Sequence, residues 1–275
     1  RSAAANLTAM RAEDWDPYRD LVSVPPYSRE EKECLPWESY SSATGAFLTV
    51  LEETSPRDSS RPLRILVLFS GTGSVEAEFR ACYPQSEAVT VDCDSRWQPT
   101  FCEEVQTWDY KQFRPKHFDV IWGSPPCTEY SQAKTTGVRQ LRMADACVRR
   151  TLQIIDYLQP RHWFLENPLG RFPFALRFRP VVRGLGNPLV CSYCQYGMDF
   201  RKPTCIWTST PPTESLRHCT GETPCMHRRM LGTHPSTAQL GPHPNQNGAG
   251  ASSAVYPIPA SLLRHLFQGL FVDKP

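Results

Sequence analysis

The chain has 275 residues, 40% of them apolar and 21% charged, with a formal net charge of +2. That length and apolar share suit one large domain, or one domain with a small appendage. No run of about 18 apolar residues occurs, which excludes an ordinary membrane-spanning helix, and the near-neutral total charge names no partner by itself.

The charge is unevenly spread. Residues 1–60 carry 6 basic and 11 acidic side chains, whereas residues 61–275 carry 24 and 17. The larger segment is therefore the one that could face a polyanion. Eleven cysteines, an odd number, without a signal-peptide pattern, point to free thiols and a metal in a reducing compartment rather than a disulfide scaffold. The opening Arg1 suggests a piece of a longer protein.

Residues 1–60 hold no sustained period and read as an arm or linker, partly ordered where Trp15, Tyr18, Trp37, Tyr40 and Phe47 dock. From Arg64 the pattern sharpens. Ile65–Phe69 is a continuous apolar run, as in a central parallel strand covered on both faces. Ser70-Gly71-Thr72-Gly73 follows, then a helix through Val75, Phe79 and Cys82. Ala88–Val91 is a second strand, ending in Asp92. Phe118–Trp122 is a third, running into Gly123-Ser124-Pro125-Pro126-Cys127. Met143–Leu158 has helical spacing, and His162–Leu165 is a strand ending in Glu166-Asn167-Pro168. Strands alternating with helices, and polar residues gathered after strand ends, predict an open, mostly parallel α/β sheet with its ligands beyond the carboxyl ends. Leu189–Tyr196 and Cys205–Thr208 read as late strands. Residues 61–210 thus form one unit. Residues 211–253 are rich in Pro, Gly, His and Cys and read as a small irregular subdomain. Residues 254–275 return to the main unit, with a helix over 260–270.

Phe69-Ser70-Gly71-Thr72-Gly73 supplies a tight turn that lets a ligand approach the backbone, and Asp92, 19 residues after Gly73, can accept bonds from ribose hydroxyls. The dinucleotide alternative is disfavoured because Glu76 stands where the third glycine belongs. A pyrophosphate has little reason to sit beside that carboxylate, whereas a cationic cofactor without phosphate tolerates it. The Pro125-Pro126 pair stiffens the backbone before Cys127, and fixed geometry is what a nucleophile needs. Glu166 lies 39 residues on, at another strand end. Two strand ends of one sheet can offer a thiolate and a carboxyl group to one ligand.

In this order, Phe69–Gly73, Asp92, Trp108-Asp109-Tyr110, Pro126-Cys127 with Tyr130-Ser131, Glu166-Asn167-Pro168, Tyr196-Gly197 and the closing Ala254–Pro259 resemble the motifs of the cytosine-C5 DNA methyltransferase family, from about Arg64 to Leu270. The resemblance implies the open sheet of S-adenosylmethionine-dependent methyltransferases with a small recognition subdomain. It implies methyl transfer to C5 of a flipped-out cytosine in double-stranded DNA. Cys127 would attack C6 and Glu166 would hold N3. Asn167 would orient the loop behind Glu166, and Pro126 would fix the nucleophile. Phe69, Ser70, Gly71, Thr72, Gly73, Asp92, Cys93, Asp109, Tyr110, Pro125 and Val255 would contact S-adenosylmethionine. Basic stretches near 139–150 and 171–183 would meet phosphates. The partners implied are DNA and additional domains or a targeting protein, with no membrane. The location is the nucleus if the source is eukaryotic and the cytoplasm otherwise.

Departures mark this chain. Aligned from Tyr196-Gly197, the family's Gln-x-Arg-x-Arg falls on Phe200–Thr204, so its arginines become Lys202 and Thr204, with Arg201 one place away as a compensating candidate. Thr128-Glu129-Tyr130 differs from the branch acting on tRNA, which stays an alternative. So does a catalytically inactive DNA-binding or regulatory relative, which the Cys127–Glu166 pair opposes. Ser124-Pro125-Pro126 also resembles the loop of amino-methyltransferases, which would leave Cys127 and Glu166 without a role. Finally, Cys191-x-x-Cys194, Cys219, Cys225, His227 and His234 form a zinc-like set in a region poor in apolar residues, with His218 a further candidate. Cys194, Cys219, Cys225 and His227 are the preferred ligands, because Cys191 can point from the opposite strand face.

Overall fold

A computed structural model describes residues 61–132, 134–237 and 257–271. The arm at 1–60, the segment 238–256 with Val255, and residues 272–275 lie outside it. The described strands are β1 (Arg64–Leu68), β2 (Glu87–Asp92), β3 (Phe101–Cys102), β4 (Val120–Gly123), β5 (His162–Pro168), β6 (Leu189–Ser192), β7 (Phe200–Arg201), β8 (Pro203–Thr208) and β9 (Ser236–Thr237). The α-helices are α1 (Ser74–Cys82), α2 (Leu141–Leu158), α3 (Met226–Leu231) and α4 (Ala260–Phe267).

Seven strands form one sheet in the order β3-β2-β1-β4-β5-β8-β6. Strands β1 to β5 pair in parallel, whereas β8 runs antiparallel between β5 and β6. This is the expected open, mostly parallel α/β sheet. Alternation along β1 decides which face each residue covers. Leu66 and Leu68 join Ile121, Leu165, Val148, Ile155 and Trp207 in a core under α2. Ile65 and Val67 join Val120, Trp122, Phe164, Phe79, Leu262 and Phe267 in a second core under α1 and α4. Both faces are therefore apolar, which is why β1 reads as an unbroken hydrophobic run.

The register matters most for function. Val91, Leu68, Gly123, Leu165 and Trp207 lie in one row across five adjacent strands. The next residue on four of them is Asp92, Phe69, Ser124 or Glu166. Chain order reverses between β1 and β4, so the crevice beyond the strand ends opens between the glycine loop and the Pro-Pro-Cys loop. The C-terminal segment closes back on this edge, where Ile258 N donates to Ser74 Oγ at 3.1 Å, and α4 then runs along α1 to the opposite edge, where Tyr83 OH donates to Phe267 O at 2.6 Å.

Two expected elements end early. The expected strand over 189–196 stops at Ser192, and Tyr193–Tyr196 becomes a 3-10 turn ending at Gly197 with φ 93°. The expected helix over 260–270 ends at Phe267. The arginine-rich stretch after residue 170 forms two 3-10 turns, Leu176–Phe178 and Pro180–Leu185.

Candidate active site

The glycine loop after β1 turns through the left-handed region at Phe69 (φ 57°), Gly71 (49°) and Gly73 (77°). A left-handed phenylalanine is unfavourable and persists only where its surroundings hold it. Asp92 supplies part of the hold: Oδ2 accepts from Gly71 N and Oδ1 from Asp94 N, each at 2.9 Å. The carboxylate ties the end of β2 to the loop, and its remaining lone pairs are the ones a ribose would share. Among the described residues nothing lies within 4 Å of a Cβ built on Gly71, so they leave the loop open on that side. In the first turn of α1, Glu76 Oε2 is buried with no hydrogen-bond partner among the described residues, and burial pushes its carboxyl group above the usual range. A phosphate beside this carboxylate would be repelled, whereas a cation would complete it. Cys93 is exposed beside Asp92. Asp109 caps a turn by accepting from Lys111 N at 3.1 Å. Tyr110, expected at the cofactor, is committed to the core: its ring meets Tyr157 at 5.3 Å and lies under Arg150.

The Pro-Pro-Cys loop is fixed from several sides. Trp122 Nε1 donates to Ser124 Oγ at 2.8 Å, Ser124 N donates to Leu68 O at 3.3 Å, and Asn167 Nδ2 donates to Pro125 O at 3.1 Å. Asn167 thus holds the Pro125-Pro126-Cys127 loop directly, while fully buried itself. Beyond Cys127 a short turn, Thr128–Tyr130, follows. Tyr130 OH donates to Asp145 Oδ1 at 2.8 Å, and Asp145 is paired with Arg179 at 2.8 Å.

Glu166 is 5% exposed. Because β8 runs antiparallel to β5, Thr204 lies opposite Pro168, and Lys202 arrives over Glu166 with Nζ 3.9 Å from Oε1. Tyr193 OH donates to the same Oε1 at 3.2 Å, and the Lys202 ammonium lies 4.7 Å from the Tyr193 ring centre. Oε2 carries no hydrogen bond among the described residues, which leaves it for a ligand. Burial pushes the Cys127 thiol up; Lys202 opposes that, and the Glu166 charge adds to it. Burial, and then the Glu166 charge, also keep Tyr193 protonated as a donor. Tyr193 carries no sequence signal: it sits between two cysteines in a stretch that reads as strand.

Lys202, rather than Arg201, therefore stands nearest the carboxylate. Arg201 lies on β7, which pairs with β9 away from the main sheet. Thr204, at the other motif position, is fully buried and donates its hydroxyl to Lys202 O at 3.2 Å. Several arginines expected on phosphates are also engaged internally. Arg139 stacks on Phe174 and donates to the carbonyls of Glu129, Ser131 and Lys134. Arg150 donates to Val105 O and Trp108 O, and Arg179 pairs with Asp145. Irregular loops leave carbonyls without ladder partners, and these guanidinium groups take them. Arg171 and Arg183 remain exposed.

The ligand atoms of Cys194, Cys219, Cys225 and His234 lie within 4.8 Å of one another. The preferred fourth member, His227, is not among them: it sits on α3 with Nε2 3.4 Å from Asp199 Oδ1. His218 Nδ1 is engaged by Ser192 Oγ at 2.9 Å, and Cys191 faces the core under α1 and α4.

Residues 63–170 match the family model of C-5 cytosine-specific DNA methylase. Over 164 residues, 53% of this chain and 70% of the relative, the sequence is 35% identical to a probable DNA (cytosine-5)-methyltransferase of Frog virus 3. Among solved structures, a putative DNA modification methyltransferase encoded within an E. coli prophage aligns with TM-score 0.40 and 16% identity over 60% of this chain and 51% of that one. The Entamoeba histolytica methyltransferase EhMeth aligns with TM-score 0.43 and 18% identity over 58% and 57%. The chain spans little more than half the length of these solved structures.

Proposed function

Since this chain belongs to the C-5 cytosine-specific DNA methylase family, we propose that it transfers a methyl group from S-adenosylmethionine to C5 of cytosine in DNA, with Cys127 as the covalent nucleophile. The observation that carries the reading is the strand row. It delivers the Cys127 loop and Glu166 from adjacent strands, β4 and β5, beside a glycine loop followed by Glu76, whose buried Oε2 has no hydrogen-bond partner among the described residues. Phe69–Gly73 and Asp92 would hold the adenosine end, and Glu76 suits the cationic end. When bound, S-adenosylmethionine supplies an electrophilic methyl group.

The protein's own part follows from the geometry. The Cys127 sulfur adds to C6 of a cytosine turned out of the duplex. Glu166, held through Oε1 by Tyr193 and Lys202, presents Oε2 to N3 and keeps a proton there as negative charge builds on the ring. C5 then becomes nucleophilic. Once C5 is substituted, its proton leaves to a base and the C5–C6 double bond re-forms, expelling the Cys127 thiolate. Lys202 stabilises that thiolate against burial. The bonds from Asn167 and Trp122 keep the loop from moving as sulfur–carbon distance changes.

The test is incorporation of isotope-labelled methyl from S-adenosylmethionine into duplex DNA and, in parallel, into tRNA, with the product base identified. Label in 5-methylcytosine of DNA supports the reading. Label confined to tRNA would move the substrate, and label at N4 of cytosine would overturn the chemistry.

A further inference from the structure

Between Ser209 and Ser236, Cys219 and Cys225 are the only buried residues. Twenty-six residues cannot hold one conformation by packing two small thiols and one half-buried leucine, Leu216, and this stretch exposes Met226, Met230 and Leu231. Even so, the segment has defined structure. It includes a turn over Thr220–Thr223 closed by three hydrogen bonds, helix α3, and strand β9 paired to β7. Something other than an apolar core must organise it.

The four clustered side chains arrive from three separate pieces of chain. Cys194 comes from the 3-10 turn after β6, Cys219 and Cys225 flank the Thr220–Thr223 turn, and His234 precedes β9. His234 Nε2 lies 3.3 Å from Cys225 Sγ and 3.8 Å from Cys219 Sγ. A tetrahedral zinc with ordinary Zn–S and Zn–N lengths requires S···N edges of about 3.6 Å and S···S edges of about 3.8 Å. The observed S···N separations bracket that value. Cys225 N also donates to Cys219 Sγ at 3.4 Å, the kind of backbone bond that stabilises a thiolate. All three cysteines are free thiols.

We propose that Cys194, Cys219, Cys225 and His234 bind one structural zinc ion in a closed Cys3His shell, which anchors residues 211–237 to the turn that carries Tyr193. The shell uses four protein ligands and leaves no open position, so the ion organises structure rather than activating water. The site also sits one residue from Tyr193, whose hydroxyl holds Glu166. The metal would thereby fix the tyrosine next to the carboxylate from which N3 would be contacted. The zinc site itself stands apart from the proposed methyl transfer. Only this last coupling rests on it.

The experiment measures metal in the full chain, purified without added zinc, by elemental analysis. It also measures the visible spectrum after cobalt exchange. About one zinc per chain is expected, with cobalt giving intense thiolate charge transfer and a tetrahedral d–d envelope. Cys219→Ser and Cys225→Ser should fall to near zero metal. His227→Ala should keep its zinc, and His234→Cys should keep it with a cobalt spectrum shifted toward four sulfurs. The last variant remains informative if His234→Ala fails to fold. Metal-free protein with intact folding, a Cys219–Cys225 disulfide in place of two thiols, or loss of zinc in His227→Ala with retention in His234→Ala would each overturn the assignment. Because metal content is read without any methyl-transfer assay, an inactive protein that holds zinc separates the two proposals.

Discussion

Gly123 offers a sharp test of whether the strand row positions Cys127, the proposed nucleophile. It is the last residue of β4, fully buried, paired with Leu68 on one side and Leu165 on the other, and four residues before Cys127. A Cβ added there would lie 2.7 Å from Thr151 Cγ2 on α2, while the next contacts, Thr151 Oγ1 and Leu165 Cδ1, stand at ordinary distances of 3.8 and 3.9 Å. One methyl group is therefore the whole obstacle. Gly123→Ala should cost about 1–3 kcal/mol by overpacking, despite the gain in backbone stiffness from alanine. It should also lower methyl transfer, since the strand or α2 must shift at the root of the Cys127 loop. Thr151→Ser removes that methyl but keeps the hydroxyl bond to Cys147 O at 3.0 Å. Alone it should cost roughly 0.5–1.5 kcal/mol as a small cavity. The double variant fills the cavity with the new Cβ, so its stability should return to within about 0.5 kcal/mol of the parent, with a favourable coupling of about 1–4.5 kcal/mol, the sum of the two single costs less that residual. Urea unfolding of the four proteins, with initial rates on DNA, measures the cycle. Additive costs, or a double variant as inactive as Gly123→Ala, would refute the proposed link between this contact and the nucleophile.

Other outcomes follow from the same geometry. Glu166→Gln keeps shape but removes the transferable proton, and single-turnover methylation should fall by roughly 10²–10⁴-fold with cofactor affinity unchanged; a rate within a few-fold of the parent would make Glu166 structural. Asp92→Ala frees Gly71 N and Asp94 N, and calorimetric titration should show S-adenosylmethionine binding weakened by about 10-fold or more, as expected for lost charge-assisted bonds. An unchanged affinity would put the ribose elsewhere. Burial, with Arg161 adding to it, pulls His162 down from 6.5 to about 4, so the unfolded chain takes up a proton that the folded chain refuses. Stability from this group is complete above pH 6.5 and declines as pH falls toward 4, by up to about 3 kcal/mol. His162→Asn should flatten the stability profile in that window, and a profile identical to the parent would show that other groups set it.

The strand-end edge that carries the candidate site was legible because strand ends leave local marks. Apolar runs stop abruptly at Phe69, Asp92, Ser124 and Glu166, and register then does the rest. What escaped depended on contacts between distant segments. Tyr193 reaches Glu166 only because β8 lies antiparallel between β5 and β6, and nothing near residue 193 encodes that reversal. The choice between Arg201 and Lys202 was likewise set by β7 leaving the main sheet to pair with β9. His227 and His234 are equivalent in composition. Helix α3 turns the first toward Asp199, while the second lies just before a strand that returns to the cysteines. Arg139 and Arg150, which lie in a stretch expected to meet phosphates, hold loop carbonyls, since a side chain does not announce whether its own backbone will need it.

The central claim is a covalent bond between Cys127 and the target base. Incubation with S-adenosylmethionine and a duplex in which the target cytosine is 5-fluorocytosine should trap one adduct per chain, because fluorine at C5 cannot leave as a proton does. Denaturing electrophoresis and peptide mass spectrometry should find that adduct at Cys127, and Cys127→Ser should form none while still binding the cofactor. An adduct at another cysteine, or turnover of ordinary duplex DNA by Cys127→Ser, would contradict the account.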